Sequence, residues 1–261
     1  MTGDFLIVKK YLSNPLVTGT IFLTLAGTTS RFMGFFFRIF LNNVMGSTGL
    51  GLYQLVIPLM SVCMSLCCNS FQTATSKLVA EKPQNRQIIL ICAIIMSATI
   101  ALLLTIIMYS NANYISICIL SESRCTELVK ALSFSILPAA IHSCINGYYY
   151  GLKKAAVPAA TQLIEQTARI GTCYLIYAIL SDGGSCFKPV YSIYGIVAGE
   201  ASATVFSVIT IKKDFSYFKI SVKSLKTTAY GMAALFIPLS LNYILASFSS
   251  SVENVLIPRT L

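Results

Sequence analysis

Acidic side chains are the scarcest chemistry in this sequence. Nine Asp and Glu stand among 261 residues, against nineteen Lys and Arg and a single histidine, His142. Six of the acids, Asp4, Glu81, Glu122, Glu127, Asp182 and Asp214, are scattered through connecting segments and form no constellation. A membrane enzyme working by acid–base or metal-assisted chemistry needs paired carboxylates or clustered ligands. The sequence is therefore expected to encode neither an enzyme nor a cofactor site. Charge of both signs is thin as well, at 11%, while 56% of the residues are hydrophobic and the mean hydropathy is +0.75. A soluble core of this size would need far more charge around it, which leaves a polytopic membrane protein.

Nine cysteines are present, and Cys63, Cys67 and Cys68 share one apolar stretch as C-x-x-x-C-C. With no histidine or carboxylate near them in sequence, they read as small buried apolar residues and not as a metal site. Cys118, Cys125 and Cys186 fall on the predicted outer side, and their spacing leaves the pairing open.

What the sequence has in abundance is apolar runs. They cover 16–44, 50–76, 88–109, 128–150, 157–180, 191–211 and 228–257, each long enough for the ~20 residues of a spanning helix. Seven helices are expected, the first serving as an uncleaved anchor because it is too long for a signal peptide and lacks a small-residue cleavage site. The formal charge of +10 is distributed by topology. Twelve of the nineteen cations, among them Lys9, Lys10, Lys77, Lys82, Arg86, Lys153, Lys154, Lys212 and Lys213, fall in alternate connections and their flanks. The opposite set holds Arg124, Lys130 and Lys188. The positive-inside rule then places the N-terminus in the cytoplasm. The basic balance implies attraction to anionic membrane lipids, not to nucleic acid.

The first run carries Arg31 near its middle and Arg38 seven residues later. At 100° per residue, Gly27, Arg31, Gly34 and Arg38 fall within about 60° of one another, so two cations and two glycines share a face. Arg31 lies about 22 Å along a helix that starts at Leu16, at bilayer depth. An arginine there costs roughly 2.5–3.5 kcal/mol on insertion scales and should face water or a partner. Arg31 is accordingly the expected central contact for an anionic substrate, with Arg38 nearer the outer end. In the second run Gln54, Pro58, Ser61, Ser65 and Gln72 form a polar stripe that could line an aqueous space or simply pack, and Pro58 should kink the helix. In the fourth, Ser135, Pro138, His142, Asn146 and Tyr149 share a face. In the fifth, Glu165 and Arg169 stand at the i,i+4 spacing that lets them pair, and Arg169 could still offer donors to a cavity. Glu200 in the sixth needs a partner, as a proton carrier or as a counter-ion to Arg31. Pro238, Asn242 and Glu253 mark the seventh. Glu165, Glu200, His142 and Glu253 are candidates for coupling or charge balance.

Four blocks carry a family resemblance: SRFMGFFFRIFLNNVMGSTGLGLYQLVIPLMSVCMSL (30–65), QTATSKLVAE (72–81), INGYYYGLKKAAVPAATQLIEQTARI (145–170), and IPLSLN with SVENVLIPR (237–242 and 251–259). Over nearly its whole length the chain resembles the stage V sporulation protein B family, in the polysaccharide transporter branch of the superfamily that includes the lipid II flippase and multidrug exporters. The S-R-x-x-G-F pattern of the lipid II flippase is matched at Arg31, while the second arginine of that relative stands one residue closer than Arg38 does. The resemblance implies an all-α fold of two six-helix lobes with the substrate cavity between them. Residues 1–226 would form the first lobe and 227–261 the first helix of a second. The missing wall would come from a second lobe or from self-association. Implied too is translocation of a polyprenyl-pyrophosphate-linked glycan to the outer leaflet, in spore cortex peptidoglycan formation. Arg31, Arg38, Gly27, Gly34, Gln54 and Arg169 are the expected substrate-binding residues. The alternative within the same superfamily is a cation-coupled exporter of drugs or metabolites.

Overall fold

In a computed structural model the described residues are 15–182, 186–214 and 222–260, with side chains over 17–181, 186–214 and 226–247. Among them the protein is all helical, with α1 Pro15–Met64, α2 Ser70–Glu81, α3 Arg86–Ser110, α4 Thr126–Gly151, α5 Ala156–Asp182, α6 Pro189–Asp214 and α7 Val222–Thr260. Five stretches are long and apolar enough to cross a membrane. The first, Val17–Glu81, runs for 65 residues. At 1.5 Å per residue, a straight helix of that length would be about three times the ~30 Å hydrocarbon core. It is broken at Gly46 (φ 71°, ψ 176°), a conformation open in practice to glycine alone. The first expected helix and most of the second are thus two arms of α1, the second run continuing through the π-turn into α2, and the change of direction between the arms is made by a single residue of MGSTGLG (45–51). The backbone stays helical through Pro58, and the next irregularity is a π-turn at Ser65–Asn69 that leads into α2. α5 is not among the five apolar stretches; it carries Gln162, Glu165, Gln166 and Arg169.

α4 is the axis of the bundle. It packs against α2, α3 and α6, and most of it is buried; α5 lies on α6 and α1, and α7 rests on α2 and α3. Three apolar clusters follow from this order. One joins the second arm of α1 to α4 and α6 through Val56, Leu132, Ile136 and Ile193. Another joins α2, α3, α4 and α7 through Phe71, Ile89, Ile145 and Met232, and a third fixes the first arm of α1 to α5 through Phe37, Leu41 and Cys173. α3 has one face turned outward, with Leu102, Leu103 and Ile106 exposed, and another on α4 with Leu90, Ala93 and Ala101 buried. Although its run 88–109 has almost nothing polar, α3 is thus half a core helix and half an outward-facing one.

In hydrocarbon, apolar surfaces gain little by meeting each other, so helix association rests on close packing and hydrogen bonds. Both are visible. Gly147 and Gly151 press α4 onto the backbone of α2 at Gln72 and Ser76; a Cβ at Gly151 would stand 2.7 Å from Ser76 O. Gly195 and Gly199 do the same between α6 and α5, where a Cβ at Gly199 would stand 2.8 Å from Glu165 O. Ser97 donates to Cys67 O (2.5 Å), Thr105 to Ser133 O (3.1 Å) and Thr204 to Pro138 O (2.7 Å). All nine cysteines are free, Cys118 and Cys186 exposed and the rest buried. In the α3–α4 connection, Arg124 donates through Nε and Nη2 to Glu122, both at 2.9 Å, and these hydrogen bonds hold the Glu122 carboxyl down at about 2.

Candidate functional site

A cavity of about 600 Å³ opens where the two arms of α1 face α5. Its wall takes Gly34, Phe37 and Arg38 from the first arm, Tyr53, Gln54 and Pro58 from the second, Gln166 and Arg169 from α5, and Ile196 from α6. Helical periodicity accounts for the first set, because Gly34, Phe37, Arg38 and Leu41 follow the i, i+3, i+4, i+7 pattern of one face. Gly34 lets the arm approach α5, since a Cβ there would touch Gln166 Nε2 at 3.4 Å. Arg38 is exposed to the cavity and, among the described residues, forms no ion pair. Tyr53 lies within electrostatic reach of both Arg38 and Arg169.

Of the residues expected to bind substrate, Gly34, Arg38, Gln54 and Arg169 come together on this wall. Gly27 and Arg31 do not line it. Arg31 is exposed on the same arm, two helical turns or roughly 10 Å from Arg38, and among the described residues it too forms no ion pair. Nothing lies within 4 Å of a Cβ placed at Gly27. The polar stripe of the second arm divides: Gln54 and Pro58 face the cavity, whereas Ser65 is buried and its hydroxyl meets that of Ser247 on α7 at 2.5 Å. Glu253 lies outside the residues whose side chains are described.

Behind the cavity wall lies a buried charge network. Arg169 pairs with Glu165 one turn before it, as their spacing suggested, and the same Nη2 atom stands 3.8 Å from Glu200 Oε1. The other oxygen of Glu200 accepts from His142 Nε2 at 2.7 Å. Glu200 thus has partners on α4 and α5, and Arg31 is not one of them. The side chains of His142 and Glu200 are 9% and 6% exposed, those of Arg169 and Glu165 19% and 22%, so the network is deepest at its histidine end. Two of its nitrogens, His142 Nδ1 and Arg169 Nε, are buried without a hydrogen-bond partner among the described residues. One ligand atom from each of His142, Glu165 and Glu200 can be chosen so that all lie within 4.8 Å of one another, a spacing that a metal ion could use. A guanidinium already stands against both carboxylates, however, and Arg169 supplies the positive charge that a metal ion would bring. The chemistry available here is ion pairing and proton exchange.

Sequence periodicity pointed to most of these side chains, but not to Gly195 and Gly199, which bring Glu200 to Arg169. The G-x-x-x-G spacing in GIVAG (195–199) was the available signal. Tyr53, on the cavity wall, was likewise not among the expected site residues.

The profile of a protein family described as "Polysaccharide biosynthesis protein" matches residues 16–261. Among curated proteins of Bacillus subtilis (strain 168), the chain is 24% identical to stage V sporulation protein B over 253 residues, covering 93% of this chain and 49% of that protein. It is 22% identical to lipid II flippase MurJ over 211 residues, covering 74% of this chain and 39% of that one. The chain therefore spans half or less of the length of these relatives. Two solved structures share the fold at 14% identity, each over 93% of this chain and 56% of the other. One is a MOP superfamily transporter from Pyrococcus furiosus described as having a binding pocket of reverse polarity (TM-score 0.71). The other is an outward-facing multidrug resistance transporter of the MATE family (TM-score 0.72).

Proposed function

The chain belongs to the polysaccharide biosynthesis protein family, and from that premise we propose that it forms part of a flippase carrying a polyprenyl-pyrophosphate-linked glycan from the cytoplasmic to the outer leaflet. The observation that carries this reading is the cavity wall, on which, among the described residues, Arg38 stands without a counter-ion and Arg169 keeps a buried nitrogen unbonded. A doubly ionised diphosphate entering a low-dielectric space needs cations that stay charged. Arginine supplies a charge that persists there and a planar fork that fits phosphate oxygens. Arg31, farther along the same arm, gives the diphosphate a third cation on its way through the membrane. Residues 1–226 form the first lobe, residues 227–261, which hold most of α7, open the second, and the N-terminus is cytoplasmic. The likeness to stage V sporulation protein B supports a peptidoglycan precursor of the spore cortex as cargo.

The second reading is a cation-coupled exporter, favoured by Glu165 and Glu200 immediately behind the cavity and by the fold shared with a multidrug transporter. The two differ in the charge of the ligand. Binding of a lipid-linked diphosphate and of a lipophilic organic cation to the protein in lipid nanodiscs separates them. Saturable binding of the diphosphate, weakened by Arg38→Ala, is the expected result. Binding of the cation alone would establish the exporter reading in its place.

A further inference from the structure

We propose that the network of His142, Glu165, Arg169 and Glu200 is a proton-binding site governed by the anion in the cavity. The anion draws the Arg169 guanidinium away from its carboxylates, and the network takes up a proton in its place. The proposal rests on the anionic-cavity reading above and adds what happens behind the wall.

Geometry supplies the argument. Arg169 belongs to both places at once, since it lines the cavity and touches Glu165 and Glu200. Both contacts run through the single atom Nη2, so the guanidinium is gripped at one corner, and Nε makes no hydrogen bond. An arginine held in this way can turn its fork to a diphosphate without first breaking a bidentate pair. Charge balance then decides the consequence. The network holds one permanent cation against two carboxylates, with the His142 imidazole in hydrogen-bond contact with Glu200 through Nε2. Once the guanidinium is shared with an anion, two carboxylates and an imidazole remain whose ligand atoms can lie within 4.8 Å of one another. Two carboxylates that close, with few waters around them, do not both stay ionised without their cation, and one proton restores the charge.

Other groups facing the network complete the inventory. The Cys68 thiol of the π-turn lies within electrostatic reach of Glu200, and Tyr53 of α1 and Cys173 of α5 lie within reach of Arg169. All three are neutral when protonated, and none replaces the charge of the guanidinium.

The test is a proton count. Geranylgeranyl diphosphate is titrated into the protein in nanodiscs at pH 8, with the heat measured in two buffers of different ionisation enthalpy. A diphosphate has almost no proton left to give at that pH, and any it released would carry the opposite sign. The wild type should take up about one proton per diphosphate bound. Glu200→Gln should bind within about threefold of wild type and take up almost none. Should that variant fail to fold, Glu165→Gln removes the other carboxylate, with the same loss expected. Binding without proton uptake by the wild type, or undiminished uptake by a folded Glu200→Gln protein, overturns this inference and leaves the anionic cavity standing. No binding by the wild type overturns both.

Discussion

A methyl group added at Gly199 tests whether the charge network is held in place by the approach of α6 to α5. An ideal Cβ there would lie 2.8 Å from Glu165 O and 3.3 Å from Arg169 Cβ. Carbon–oxygen contacts relax to about 3.5 Å, so α6 must withdraw by roughly 0.7 Å (3.5 − 2.8). The Arg169–Glu200 contact, already 3.8 Å, then opens to about 4.5 Å and ceases to be an ion pair. Overpacking of this kind costs about 1–3 kcal/mol, and the better helix propensity of alanine returns up to about 1 kcal/mol. A net loss of about 1–2 kcal/mol corresponds to a fall in melting temperature of roughly 2–8 °C. The chain has no tryptophan, but seven of its nine free cysteines are buried, so a thiol-reactive dye reports unfolding directly. Gly171→Ala on α5 is the control. Nothing lies within 4 Å of its Cβ, and it should melt at or slightly above the wild-type temperature. If Gly199→Ala melts with the wild type while Gly171→Ala behaves as expected, the close approach of the two helices does not set the network and the argument fails.

Arg38→Lys keeps the charge on the cavity wall but loses the fork, and should weaken diphosphate binding by about tenfold. Arg31→Lys, off that wall, should weaken it less, and a titration of both variants ranks them. Orientation is checked with single cysteines in a cysteine-free background. A thiol at 123 should react with an impermeant reagent added outside and one at 153 should not, and the reverse pattern would invert the topology. Lys153, two residues past the end of α4, has φ 61°, a left-handed conformation that costs a residue with a Cβ roughly 1–2 kcal/mol. Lys153→Gly should therefore raise the melting temperature, and a fall would show that the lysine side chain contributes more than its backbone costs. Removing Arg169 alone leaves two carboxylates buried without a cation, so Arg169→Ala should lower the folded yield and Arg169→Ala with Glu165→Gln should recover part of it, as read by size-exclusion chromatography.

The helical class and most of the spans were legible because hydropathy over twenty residues reports burial in a bilayer whatever the neighbours are. The Glu165–Arg169 pair was legible because both members lie on one helix, where spacing alone sets distance. His142 and Glu200 are 58 residues apart, and no periodicity relates them. Their contact depends on how α6 lies on α4 and α5, which Gly195 and Gly199 decide through backbone approach. The break at Gly46 was hidden for a similar reason. MGSTGLG has the composition of a loop, yet six of its seven residues remain helical and one carries the entire change of direction.

That single residue gives the cavity an unusual mechanics. Its wall includes residues 34–41 before Gly46 and 51–60 after it, so the spread of the two arms depends on one φ and one ψ. A loop would absorb small displacements as slack. Here there is none to absorb them, and a tilt of the first arm has to appear as a rotation at Gly46 or be passed on to the second arm, then to the π-turn and to Ser247 of α7. The joint behaves as a hinge pin in a rigid linkage. Any side chain substituted there loads the pin, because a Cβ is strained at that φ and ψ, and the load falls on the joint that sets the two arms of the cavity wall.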